Sequence, residues 1–344
     1  MEKIFAITDY KGHFGSKWLS IPYRSGYNHD LLITYFKKAG FDIIFLKPTE
    51  IIYKQEVWND KIVLLSSSEE PDLGYKSYLE DIAFGLEHCK AHLIPSIKFL
   101  QSHENKIKSI IIQNLATEES LRILQYKTFG NYEELNEVID KNTLEYPCII
   151  KKPDGSKGSG VFLVKNKAEL KKTARKISSN FKLNRWIKEK IRSIKHKGYT
   201  PNTMHSNKFM IQEYIPNLSC DWKVLIYGSR VYLLKRKVKS NDFKASGSGF
   251  GYKAGSESEF PLEYFEILYQ FLIRIDVPNI SIDFGYNNLK GFIFEFQAIY
   301  FGTSTQHKSK DYYHRTNGEW ILNKNDLDQE NAYVSSIVEF IEKK

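Results

Sequence analysis

The chain has 344 residues, 42% of them hydrophobic and 14% aromatic, with 10 Pro, 20 Gly and three Cys. That length supports two to three domains with extensive cores, and the composition excludes a disordered, collagen-like or disulfide-framed protein. The net charge of +9 belongs to one segment: residues 165–208 hold fourteen Lys or Arg against two acids, Glu169 and Glu189, so the remainder is slightly acidic. Lys outnumbers Arg and few aromatics stand among the basic residues, which argues against base reading and a nucleic-acid partner. The first apolar run meets Asp9 at once, and no run approaches the roughly 18 apolar residues of a membrane span. The expectation is a soluble, unprocessed, cytoplasmic protein in a reducing compartment, with no membrane partner.

Residues 3–9, KIFAITD, read as a β-strand, 29–41 as a helix stopped by Gly40, 42–48 and 61–67 as buried strands, and 75–92 as a helix. This alternation predicts a parallel sheet with helices on its faces. Ligands gather at strand C-terminal ends in such sheets, so the loop 10–28, with Lys17, Tyr23 and Arg24, is either a substrate surface or merely solvated. From 104 to 140 the pattern is helical with a break, including LRILQYKTF, and Asn131 is a helix N-cap. CIIKK and VFLVK are strands around PDGSKGSG, Asn166 caps a helix, and 179–207 is polar, lysine-rich and without a predicted element. Three strands follow over 209–238, the last two a hairpin turned at Gly228-Ser229. A helix over 261–275, a hairpin over 279–299 and an amphipathic C-terminal helix complete the chain.

Three stretches carry chemistry. In KKPDGSKGSGVFLV, three Gly and two Ser let backbone N–H groups fold over phosphates, Lys157 adds a charge, and Lys151 and Lys152 end a strand from which one points inward. The loop returns into a strand and is no Walker A; an ordinary flexible turn is the plain alternative. In SIDFGYNNLKGFIFEFQA, Asp283 sits mid-strand while Glu295 and Gln297 share a face of the partner strand. Buried carboxylates with an amide suit Mg²⁺, or else structural ion pairs with Arg236 or Lys237. His88, Cys89 and His92 lack the further ligands of a zinc site, and Tyr312, Tyr313, His314 and Trp320 make an aromatic patch best explained by packing.

The order of these parts resembles the ATP-grasp ligases, especially their RimK and glutathione-synthase-like branch. The parts are a lysine-ended strand with a glycine hairpin, the QEYI strand, an acidic-then-basic strand, the KRK strand and the D…E-x-Q hairpin. The likeness spans roughly 100–305 and implies an α/β (α+β) chain. A small parallel-sheet pre-ATP-grasp domain (1–100) is followed by a helical connector (101–147), a lid subdomain with the basic segment (148–212) and a C-terminal subdomain with the Mg/ATP site (213–344). It implies that Lys151 touches nucleotide phosphates, that Lys106 is the family's earlier nucleotide-binding lysine, and that Gly155, Ser156, Lys157, Gly158, Ser159 and Gly160 form a phosphate flap. Gln212, Glu213, Tyr214 and Ile215 would form the adenine hinge, with Glu213 and Asp221 near base and ribose. Arg236 would steady the transferring phosphoryl group. Lys223, Lys239, Lys244, Ser246 and Arg24 are candidate phosphate or substrate contacts, and Asp283, Glu295 and Gln297 the ligands of one or two Mg²⁺.

Two departures stand out. The family ends this hairpin with E-x-N and a small-Pro-Gly turn, whereas here EFQ runs into AIYFGTSTQHKS, which puts Tyr300, Thr303, Ser304 and Thr305 where the acceptor site is reshaped. Ser246 also replaces an asparagine common in the branch. The implied activity is ATP-dependent carboxylate–amine ligation through an acyl-phosphate, with ATP, a small or sugar-linked carboxylic acid and an amine as partners and a homodimer left open. An ATP-grasp-type kinase and a nucleotide-binding regulatory protein without turnover are the alternatives.

Overall fold

The computed structural model describes every residue except 17–18, 142, 156–159, 219, 238–250 and 288–289. The chain forms two compact units: Met1–Ile123 with Ser219–Lys239 and Gly249–Lys344, and Leu124–Leu218 with Ser240–Ser248.

The larger unit opens with the expected alternation. Strands β1 (Glu2–Ile7), β2 (Phe41–Leu46), β3 (Ile62–Leu64) and β4 (His92–Ile94) pair in parallel in the order β2-β1-β3-β4. Helices α1 (His29–Lys38), α2 (Gln55–Trp58) and α3 (Gly74–His88) link them, and α4 (Ile97–Ser102) and α5 (Lys106–Ala116) follow. Parallel strands are buried on both faces, which is why β1 and β3 read as near-continuous apolar runs.

The smaller unit is an antiparallel sheet with helices. Strands β5 (Tyr126–Phe129), β6 (Cys148–Lys151), β7 (Val161–Val164) and β8 (Phe209–Glu213) pair in the order β5-β8-β6-β7. Helices α6 (Tyr132–Asp140) and α7 (Lys167–Ser178) begin at Asn131 and Asn166, whose side chains accept from the Glu134 and Glu169 amides. Leu135, Ile139, Leu170, Ala174 and Ile177 pack on Phe129, Ile150, Phe209 and Ile211. Two expectations are corrected here. Residues 126–129 are a strand, because their partner Phe209–Gln212 offers a sheet edge that outweighs local helical spacing. Residues 179–207 are not featureless: Leu183–Lys195 form a helix, α8.

The chain then returns to the larger unit. Strands β9 (Cys220–Tyr227), β10 (Arg230–Lys237), β11 (Tyr252–Lys253), β12 (Asn279–Tyr286), β13 (Gly291–Gln297), β14 (Asp311–Thr316) and β15 (Glu319–Lys324) form one sheet in the order β13-β12-β9-β10-β14-β15, with β11 beside β10. The expected aromatic patch lies largely on the β14–β15 hairpin. Helices α9 (Glu263–Ile275), α10 (Ser304–Lys308) and α11 (Gln329–Glu342) complete the unit.

Alternation divides the two faces of this sheet. On one face Trp222, Val224, Ile226, Ile280, Ile282 and Phe284 pack against Phe265, Leu268, Phe271 and Leu272 of α9. The other face changes character along each strand. Leu225, Tyr227 and Tyr232 lie under Tyr333, Val334 and Ile337 of α11, and the Tyr227 hydroxyl sits 3.1 Å from that of Tyr27. Two to four residues further along, the same face carries Lys223, Asp221, Arg236 and Asp283 beside Leu234.

Candidate active site

On that charged half, cross-strand register brings the groups together. Arg236 lies opposite Asp221, Lys223 opposite Asp283, Asp283 opposite Glu295, and Ser281 opposite Gln297. Directly opposed residues share a face, so four strands contribute to one row. The β12–β13 register slips between Asp283 and Phe284, leaving Phe294 as an extra residue. Such a bulge re-aims the side chains beside it.

The row is a charge network. Both oxygens of Asp221 accept from Arg236, at 2.7 Å from Nε and 2.6 Å from Nη2. Lys223 Nζ donates to Asp283 Oδ1 at 2.7 Å, and Arg236 Nη2 lies 3.2 Å from the same oxygen. Side-chain exposure is 5% for Asp221, 8% for Arg236 and 15% for Asp283, so these charges are held by one another rather than by water. Burial is the largest influence on both carboxyls. At Asp221 it outweighs Arg236 and pushes the group upward. At Asp283 the Arg236 and Lys223 charges prevail and hold it below the usual carboxylate range. Burial works against the Arg236 charge as well, but the two aspartates override it and keep the guanidinium protonated.

Asp221, expected near the ribose, therefore anchors Arg236, and the ion-pair partners of Asp283 are Lys223 and Arg236 rather than Lys237. Glu295 and Gln297 are half-buried, and among the described residues no side-chain hydrogen bond or ion pair engages them. Beside Gln297, the Ser281 hydroxyl is buried with no partner among the described residues. A carboxylate and an amide oxygen, adjacent to Asp283 and uncommitted, are hard donors that fit a magnesium ion.

Other expected residues fall elsewhere. Lys106 opens α5 behind the Asn105 cap and is half-buried. Arg24 is exposed, with φ of 62°, and pairs with Glu69. In the smaller unit, half-buried Lys151 ends β6 opposite Val161 and Met210. Gly155 and Gly160 take φ of 101° and 80°, and the Lys152 amide donates to the Gly160 carbonyl at 2.9 Å, closing the loop's base. Only glycine holds such φ values without strain. Gln212 is 2% exposed, and its Nε2 has no partner among the described residues. Glu213 and Tyr214 are half-buried at the end of β8 and just beyond it, while Ile215 is buried. Lys17, Ser156, Lys157, Gly158, Ser159, Lys239, Lys244 and Ser246 lie outside the described residues.

Sequence reasoning missed a second cluster in the larger unit. Glu69 follows β3, and His103 and Glu104 follow α4; one ligand atom from each lies within 4.8 Å of the others. His103 Nδ1 meets the Ser67 hydroxyl at 2.8 Å, while its Nε2 is buried with no partner among the described residues. Burial first, then the Lys76 and Lys106 charges, lower its pKa to about 3, so the ring is neutral. The Tyr300 ring stands edge-on to it at 5.7 Å. Two signals pointed here: the strand-end rule applied to β3 as well as β1, and His103 and Glu104 preceding Lys106 in HENK.

Residues 103–251 match the family model described as RimK-like ATP-grasp domain. No curated protein matches the chain. Among solved structures, the chain is similar to a RimK domain ATP-grasp protein from Sphaerobacter thermophilus, at 10% identity and TM-score 0.52, covering 97% of this chain and 99% of that one. It is similar to a RiPP-associated ATP-grasp ligase from Chryseobacterium gregarium, solved with ADP and a leader and core peptide, at 13% identity and TM-score 0.54, covering 100% and 98%. It is also similar to the VanG D-Ala:D-Ser ligase from Enterococcus faecalis, at 13% identity and TM-score 0.53, covering 99% and 98%. These likenesses establish the fold.

Proposed function

We propose that this chain, whose residues 103–251 match the family model of the RimK-like ATP-grasp domain, is an ATP-dependent carboxylate–amine ligase. The observation that carries the reading is the row Gln297, Glu295, Asp283, Lys223, Asp221 and Arg236 on one sheet face, where paired buried charges stand beside uncommitted hard oxygens.

A carboxylate is a poor electrophile. Its oxygen attacks the γ-phosphorus of ATP, the bond to the bridging oxygen breaks, and ADP leaves; an amine nitrogen then attacks the acyl carbon, phosphate leaves, and the amine proton passes to phosphate or water. Arg236, fixed by Asp221, presents a permanent positive charge to the transferring phosphoryl group, and its prior fixation spares reorganisation during the reaction. Lys223, in the same row, adds a further charge for phosphates. A magnesium ion held by Asp283, Glu295 and Gln297 would neutralise phosphate charge.

Glu69, His103 Nε2 and Glu104 serve the amine. A primary ammonium has three N–H donors, and acceptors at about 2.8 Å around a tetrahedral nitrogen stand roughly 4.6 Å apart. The three atoms lie within 4.8 Å of one another, a bound compatible with such a cradle. The low basicity of His103 makes it an acceptor for the ammonium rather than its base.

The test is ADP and phosphate release by the intact chain from MgATP with carboxylic acids and amines in pairwise combination. The ligase reading expects both products only when acid and amine are present together. ADP without phosphate would instead mark a kinase. The pairing of Asp283 with Lys223 and Arg236 favours one further reading, a nucleotide-binding protein without turnover; tight MgADP binding with no acceptor-dependent release would establish it.

A further inference from the structure

Helix α8 is built inside out. Its one acid, Glu189, is 4% exposed and accepts from the Tyr199 hydroxyl at 2.6 Å, the Asn202 amide at 2.8 Å and Arg192 at 2.8 Å. Arg185 donates to the Thr203 carbonyl at 3.2 Å. The polar side is thus the side that grips the protein. At 100° per residue, Leu183, Ile187, Ile191 and Ile194 fall within one narrow arc on another side, flanked by Trp186. That arc is open to solvent: Leu183 is 62% exposed, Ile187 44%, Ile191 56%, Ile194 85% and Trp186 42%. Isolated exposed apolar residues need no explanation, but a contiguous ridge of them on one helix marks an interaction surface.

The charges around the ridge select its partner. Lys188 and Lys195 border it on one side and Lys190 on the other, where the ammonium lies 5.9 Å from the Trp186 ring centre. With Glu189 already engaged, the helix presents only cations outward. A second copy would bring one lysine rim against another, so self-pairing is opposed by charge. A convex aliphatic ridge with a tryptophan at its border and lysines able to extend away from it is the pattern of a helix lying in a lipid interface. Basic side chains near an anionic leaflet add attraction beyond apolar burial.

We propose that α8 is a docking helix for an anionic lipid surface, entering the headgroup region by Leu183, Ile187, Ile191 and Ile194 while its lysines contact acidic headgroups. Among the described residues no helix is long and apolar enough to cross a membrane. The expectation of no membrane partner rested on the same absence of a spanning run, a criterion blind to interfacial helices.

The experiment is flotation of the intact chain with vesicles of phosphatidylcholine alone and of phosphatidylcholine mixed with phosphatidylglycerol, with Trp186 emission read against a Trp186→Phe blank. The proposal expects binding to the anionic vesicles only, weakened by salt, with a blue shift absent from the blank. Ile191→Glu/Ile194→Glu should reduce partition at least tenfold, and Lys188→Glu/Lys195→Glu by about fivefold per lysine. Both pairs change exposed side chains, so the fold survives, and an unchanged circular dichroism spectrum checks it. Three results would each overturn the proposal: no binding to anionic vesicles, equal binding by the Ile191→Glu/Ile194→Glu protein, or a lipid-free dimer that these substitutions dissociate. Recovery of a protein bound through the same ridge, with no vesicle binding, would assign the surface to that partner instead.

Discussion

In the β9–β13 face of the larger unit, charges are buried and apolar surface is covered; on α8 of the smaller unit, apolar surface is exposed and the one acid is buried. Both arrangements depart from a plain amphipathic pattern, in opposite directions. Asp221, Arg236 and Asp283 tolerate burial because each is paired at 3.2 Å or less, and removing one partner would leave a buried charge uncompensated. The ridge of α8 tolerates exposure because Glu189 ties the helix from behind to Tyr199 and Asn202. Fixation by neighbours, rather than polarity alone, separates a charged row arranged for chemistry from an apolar ridge arranged for contact.

The contrast can be broken in graded steps. The largest effect is expected from Glu295→Ala, which removes an uncommitted oxygen donor: once acid and amine are identified, ADP release should fall about a thousandfold, the scale of losing one electrostatic group that acts on developing charge. Retained turnover would reduce the row to a structural network. Next, Asp221→Ala should destabilise the protein by about 3–5 kcal/mol, read from urea unfolding, because Arg236 loses its bidentate partner. Lys188→Glu on α8, a charge change twice as large but exposed, should stay within about 0.5 kcal/mol. Equal losses would erase the distinction between the two regions.

Smaller effects follow from titration. Glu189 is held at about 2, first by the Tyr199 hydroxyl and then by the Asn202 amide, against an ordinary value of 4.5. The folded state therefore prefers the ionised group, and this contribution to stability is present above pH 4.5 and fades as pH falls toward 2. Hydrogen exchange of the α8 amides should accelerate over that window, and Glu189→Gln should flatten the dependence. His103 has the reverse chemistry: a folded pKa of about 3 against 6.5 means the unfolded chain binds the extra proton, so its contribution is lost as pH falls below 6.5. An NMR titration should show one histidine, absent in His103→Asn, whose ring stays neutral down to about pH 4.

Much of this was legible in the sequence, for identifiable reasons. Alternation placed Glu295 and Gln297 on one face, and Asn131 and Asn166 announced their helices because capping chemistry is local. The β9–β10 hairpin was readable from its Gly-Ser turn. What escaped depends on distant partners. The capture of Arg236 by Asp221 is set by register between strands, and the strand Tyr126–Phe129 exists because β8 accepts it. The cluster of Glu69, His103 and Glu104 draws on two separate segments. Helix α8 was obscured by its lysine content, since the alternation of apolar and charged residues that marks an amphipathic helix also resembles a polar linker.

The central claim is that the Asp283, Glu295 and Gln297 end of the row receives a magnesium-bound nucleotide, and it can be tested without knowing the substrates. Calorimetric binding of ADP to the intact chain, with and without Mg²⁺, should show that the metal tightens binding and that Glu295→Ala abolishes the increment while leaving metal-free ADP affinity unchanged. ADP binding that is indifferent to Mg²⁺, or an increment that survives in Glu295→Ala, would contradict the account.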